Sequence, residues 1–165
     1  KNILNQNNTN AYMNFERAVK DVYDHPDQSV ALAASTLEGL FKTILQNSDS
    51  SIQVKNLSLS DLTNKVVKQL VSDCDASAPQ EIKTLASQLR GLGSTIDNLR
   101  SDKSTAHGKA DGDYVIDDDL WAETVVNATA TLGLLLWRLY ERSCVEAKAA
   151  PATQLTPVYD DDIPF

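Results

Sequence analysis

Between Ile82 and Leu99 the apolar residues Ile82, Leu85, Leu89, Leu92, Ile96 and Leu99 follow one another in alternating steps of three and four. Only an α-helix gathers such positions onto one side, since residues three and four apart stack along a helix, whereas a strand divides its side chains between two faces. No segment of the chain shows the strict alternation of a strand. A helix with one apolar stripe must bury it against other helices, so the spacing predicts an all-α bundle.

The rest of the chain supplies the partners. The opening KNILNQNNTN is Asn-rich and aperiodic, a loop over residues 1–10. From Ala11 to about Tyr23, Tyr12, Phe15, Val19 and Val22 recur at helical spacing. Pro26 suits the first turn of a second helix reaching about Gln46, with Asp24 and Asp27 near its positive end. Its buried face is expected to hold Val30, Ala33, Leu37, Leu40, Phe41 and Ile44, and Glu38 can pair with Lys42 one turn on. A third helix starts within LSLSDLTNKVVKQLV, with Ser60 as its expected N-cap. In the fourth, Gly91 and Gly93 weaken the helix unless they serve a close approach or a kink. The last runs from about Asp119 to Ala147, anchored by Leu120, Trp121, Val125, Leu132, Leu135, Leu136 and Leu139. About five helices over residues 11–147 thus form one domain, and the short connections imply antiparallel neighbours.

Charge narrows the function classes. Lys and Arg number 15 against 23 Asp and Glu, a formal net charge of −8. A protein that coats nucleic acid by neutralising phosphates carries the opposite balance, so any nucleic-acid contact must be local. Cys74 and Cys144 have no paired spacing, and no secretory signal precedes them, which favours reduced thiols and a cytoplasmic location. No apolar run reaches the roughly 18 residues of a membrane span. The longest, LGLLLWRLY, reads as a buried helix or a subunit contact. The chain begins at Lys1 without a methionine, as a piece of something longer would.

Two histidines are present, and they differ in setting. His25 precedes Pro26 and reads as a solvent-facing turn residue. His107 lies in LRSDKSTAHGK, separated from Arg100 by six residues in a polar turn, an odd place for a packing residue. Cleaving RNA through its own 2′-hydroxyl needs a group that moves a proton near neutral pH and a fixed cation on the phosphate oxygens; histidine and arginine supply these without a metal. An Arg and a His can also merely cap a helix C-terminus, answering its negative dipole end. The run Asp117, Asp118, Asp119 admits a metal, but an acidic run before a helix more commonly caps it.

Taken together, DHPDQSVALAASTLEGLFKTIL, LRSDKSTAHGK and VVNATATLGLLLWRL resemble the C-terminal domain of abortive-infection proteins, a branch of the HEPN superfamily of α-helical ribonucleases. The resemblance implies a HEPN-like bundle, a toxin-like endoribonuclease with antiviral function, an RNA substrate, a homodimer that brings two motifs together, and no cofactor. It assigns catalysis to Arg100 and His107, with Ser101, Asp102 and Lys103 supporting the site, and it draws Glu38 into the pattern. The residue after the arginine, often Asn, Asp or His in the superfamily, is Ser101 here, and this favours a second reading as a non-catalytic dimeric interaction module.

From residue 148 the composition changes to KAAPATQLTPVYDDDIPF, a flexible acidic tail over 148–165. Its end resembles the C-terminal tip of bacterial single-stranded DNA-binding proteins. The resemblance implies docking of Asp160, Asp161, Asp162, Ile163, Pro164 and Phe165 onto DNA replication or repair proteins that bind such tips, with the aspartates steering toward a basic rim and Phe165 filling an apolar pocket. The chain itself could equally be part of a larger single-stranded DNA-binding protein. A purely solubilising tail has no use for a terminal apolar Ile-Pro-Phe.

Overall fold

The computed structural model describes residues 9–72, 79–103 and 115–149. His107 and the tail residues Asp160, Asp161, Asp162, Ile163, Pro164 and Phe165 lie outside the described residues. Among the described residues five α-helices make up the fold: α1 (Thr9–Asp21), α2 (Pro26–Ser48), α3 (Leu59–Val67), α4 (Gln80–Lys103) and α5 (Asp119–Ala149). A π-helical turn, Lys68–Ser72, prolongs α3, and no strand occurs among the described residues. None of these helices is long and apolar enough to cross a membrane.

The centre of the bundle is α2, which packs against each of the other four helices and most extensively against α1 and α5. Pro26 occupies its first turn, where a missing N–H costs nothing, and Asp27 faces the positive end of the dipole. His25 stands exposed at the N-cap position, as expected of a turn residue. Leu37, Leu40, Phe41, Ile44 and Leu45 of α2 meet Leu62 and Val66 of α3, Ile96 of α4, and Leu132, Leu136 and Trp137 of α5 in one cluster. Two hydroxyls of α2 fasten α1: Ser29 donates to the Ala18 carbonyl at 2.7 Å and Thr36 to that of Ala11 at 3.4 Å.

Several local expectations are corrected. The N-cap of α3 is Ser58, two residues before Ser60; its hydroxyl accepts the Asp61 N–H at 3.0 Å, and the Asp61 carboxylate accepts the Ser58 N–H at 3.3 Å. This reciprocal pair satisfies two otherwise orphaned amides. The apolar stripe of α4 is buried only toward its end: Ile96 is enclosed and Leu89, Leu92 and Leu99 are partly covered, but Ile82 and Leu85 are exposed. On α1 the buried residues are Ala11 and Ala18, joined by Val22 just beyond its end, with Val19 turned outward. Leu120 and Trp121, expected as anchors of α5, are 63% and 58% exposed in its first turn, where Asp118 starts the helix by accepting the N–H groups of both at 2.9 and 3.3 Å. Capping is therefore the structural role of Asp118. Much of LGLLLWRLY is consumed by the bundle itself, with Leu132, Leu136 and Trp137 buried. Gly93 does mark a close approach, since a Cβ there would stand 2.5 Å from Cγ2 of Thr63 on α3, whereas Gly91 faces open space.

Candidate functional site

Arg100 sits in the final turn of α4, with Ser101, Asp102 and Lys103 continuing the helix beyond it. Its guanidinium is held from two directions. Nη1 donates to Oε2 of Glu38 on α2 at 2.7 Å, and Nη2 donates to Oδ1 of Asp97 at 3.3 Å. Glu38 also receives the Lys42 ammonium on its other oxygen, Oε1, at 2.5 Å. Asp97, buried on the inner side of α4, uses Oδ2 to accept the backbone N–H of Ser60 at 3.0 Å, and the hydroxyls of Ser60 and Ser94 lie 2.6 Å apart. Two carboxylates and two cations thus link α2, α3 and α4 in one partly shielded cluster of balanced charge.

Geometry explains the electrostatics. Burial alone would push the Glu38 carboxyl up, but hydrogen bonds from Lys42 and Arg100, together with their positive charges, outweigh that cost and hold it below its ordinary value of 4.5. A carboxylate fixed in its ionised form orients the planar guanidinium through a charge-assisted bond, and Asp97 fixes the other terminal nitrogen. What results is an oriented arginine at the C-terminal end of α4.

The chain leaves that end and returns to it. The Ile116 N–H donates to the Lys103 carbonyl at 2.8 Å, so the two ends of the intervening stretch, to which His107 belongs, are clasped beside the last turn of α4. Of the residues expected to support the site, Ser101 and Lys103 are half-buried and Asp102 is exposed. Asp97 was not singled out by sequence reasoning, although its place three residues before Arg100 puts the two side chains on one face of the helix. Ser60 was singled out for another role; here its amide is the link between Asp97 and the start of α3.

A family model, Abi_C, described as a HEPN-like domain, matches residues 9–140. The chain belongs to this HEPN-like family. The match runs from the start of α1 into α5 and takes in Glu38, Asp97, Arg100 and His107, ending before the acidic tail. Among curated proteins and solved structures, nothing matches.

Proposed function

We propose that this HEPN-like domain is a metal-independent endoribonuclease of antiviral abortive infection, acting in the cytoplasm as a homodimer, with Arg100 and His107 as its catalytic residues. The observation that carries this reading is the doubly held guanidinium of Arg100 at the point where the chain departs toward His107. Four residues of chain from Lys103 to His107 reach at most about 14 Å, a length compatible with an imidazole that meets the arginine at one phosphate. In the reaction, an imidazole accepts the proton of an RNA 2′-hydroxyl and that oxygen attacks the adjacent phosphorus. The bond to the 5′-oxygen breaks, the leaving oxygen takes a proton, and a 2′,3′-cyclic phosphate remains. Arg100 stabilises the charge that gathers on the phosphate oxygens. Two imidazoles, one from each protomer, divide the roles of base and acid. The exposed Leu120 and Trp121, close in sequence to the Lys103–Ile116 clasp, offer apolar surface for that pairing. Through Asp160 to Phe165 the tail addresses the domain to proteins that bind the tips of single-stranded DNA-binding proteins.

One observation favours the second reading, a non-catalytic dimeric module recruited by its tail. Glu38 and Asp97 together balance the charges of Arg100 and Lys42, so the cluster as a whole presents no net positive charge to a phosphate. RNA cleavage by the wild type, with and without chelator, separates the two. Under the nuclease reading His107→Ala slows cleavage by about two to four orders of magnitude. Arg100→Lys fails as well, because a point charge cannot reproduce a planar fork. Cleavage that survives both substitutions, or disappears with chelator, removes the nuclease reading; a wild type that never cuts leaves the interaction module.

A further inference from the structure

On the side of the bundle where α1 and α5 lie over α2, an apolar groove of about 350 Å³ opens between Tyr12, Phe15 and Val19 of α1, Leu40 of α2 and Leu134 of α5. Its floor is cut by Gly133, where α5 packs so closely on α2 that a Cβ would lie 3.3 Å from the methyl carbons of Leu37 and Leu40. Beside it Thr129 keeps a buried hydroxyl without a hydrogen-bond partner among the described residues. One carboxylate lines this apolar patch, Glu16, which accepts the Tyr12 hydroxyl at 2.5 Å, and two cations stand beside it. Lys20 lines the groove from α1, and Arg138 is exposed on α5 one helical turn beyond Leu134, on the same stripe. Neither makes an ion pair among the described residues.

We propose that this groove is the docking site of the chain's own tail, with Ile163, Pro164 and Phe165 seated between α1 and α5 and Asp160 to Asp162 lying against Arg138 and Lys20. The inference goes beyond the nuclease reading and does not depend on it. Length permits the contact: Ala149 lies about 24 Å along α5 from Gly133 at 1.5 Å per residue. The stretch from Ala150 to Asp162 spans up to about 43 Å when extended. Order along the chain fits too. A tail folding back along α5 from Ala149 meets Arg138 before Leu134, and in the tail the aspartates come before the apolar Ile-Pro-Phe. Helical side chains lean toward the N-terminus, which carries the Arg138 guanidinium toward the groove and not away from it. The tail is the occupant because it joins an apolar end to a block of negative charge, which matches the apolar lining and the two cations Lys20 and Arg138, while the Glu16 carboxylate is engaged by the Tyr12 hydroxyl.

Methyl NMR of the full chain tests this. Phe165→Ala should shift the methyl signals of Val19, Leu37, Leu40 and Leu134 together, at unchanged helical content by circular dichroism. Adding a peptide of residues 156–165 to that variant should return them to their wild-type positions, and the same peptide carrying Phe165→Ala should bind at least about tenfold more weakly. Lys20→Glu with Arg138→Glu should reproduce the displaced spectrum, and converting Asp160, Asp161 and Asp162 to lysine in that background should restore the docked one. Shifts confined to the Leu85 and Leu139 methyls between α4 and α5 would overturn the proposal. So would shifts that depend on protein concentration, which place a second copy in the groove, or a groove that answers to Ile3→Asp and Leu4→Asp but not to Phe165→Ala.

Discussion

The helices α2 and α4 are nearly equal in length, 23 and 24 residues, yet they are used in opposite ways. Ten residues of α2 are buried, among them Leu37, Leu40, Phe41 and Ile44, whereas α4 buries only Ala86, Gly93, Ile96 and Asp97. One helix is a hub enclosed by its neighbours. The other leans on the bundle with its second half and carries at its end the arginine that α2 reaches across to hold. A regular apolar stripe is thus a record of helix formation and of one sticky face, but how much of that face is covered depends on where the helix stands in the bundle.

The contrast breaks most visibly under truncation. Phe41→Ala empties a fully enclosed site and should cost about 3–5 kcal/mol, enough to threaten folding of a domain this size. Leu85→Ala, from the most regular stripe in the sequence, should change stability by less than about 0.5 kcal/mol because the side chain is already exposed. Urea denaturation of the two variants measures both. Similar losses would mean that the first half of α4 is covered in solution.

What could be read in advance follows the same division. Pro26 with its acidic neighbours marked the start of α2, and the polar segments between apolar runs separated all five helices, because these signals act within one or two turns of chain. Burial was read less well. The spacing of Tyr12, Phe15 and Val19 marks α1 as a helix but not what its apolar face meets: those residues line a groove, since the tight contact with α2 is made by Ala11 and Ala18, small enough to let the helices approach. At the candidate site, Arg100 and Glu38 were legible through the family pattern. Asp97 was not, because its importance comes from a hydrogen bond to the Ser60 amide that only the crossing of α3 and α4 creates.

That crossing gives a finer test within α4 alone, where two glycines stand two residues apart. Gly93→Ala drives a methyl group into the buried Thr63 side chain, whose hydroxyl is committed to the Leu59 carbonyl at 2.7 Å, and should destabilise by about 1–3 kcal/mol. Gly91→Ala meets nothing and replaces a poor helix former with the best, so it should stabilise by about 0.5–1 kcal/mol. Thermal melts of opposite sign are expected. Two shifts of the same sign would mean that the α3–α4 contact is looser than the geometry indicates.

The smallest effect probes the link between the two helices. The Glu38 carboxyl is held below its ordinary value of 4.5 in the folded chain, so folding favours its ionised form. The unfolded state therefore binds more protons here as the solution is acidified. The stabilisation from this group is fully present above about pH 4.5 and is lost as pH falls through the lowered value in the folded state. A partly exposed pair of ion contacts of this kind should contribute about 1 kcal/mol at neutral pH. Glu38→Gln removes the titrating group while keeping its shape, so its stability should fall less steeply between neutral pH and pH 3 than that of the wild type, and the two curves should converge in acid. Salt should narrow the gap at pH 7 only in part, since the carboxylate between Lys42 and Arg100 is shielded from solvent over most of its surface. Parallel curves across the whole range would show that Glu38 does not join α2 to α4 through its charge, and that the position of Arg100 is set by Asp97 and the packing of α4.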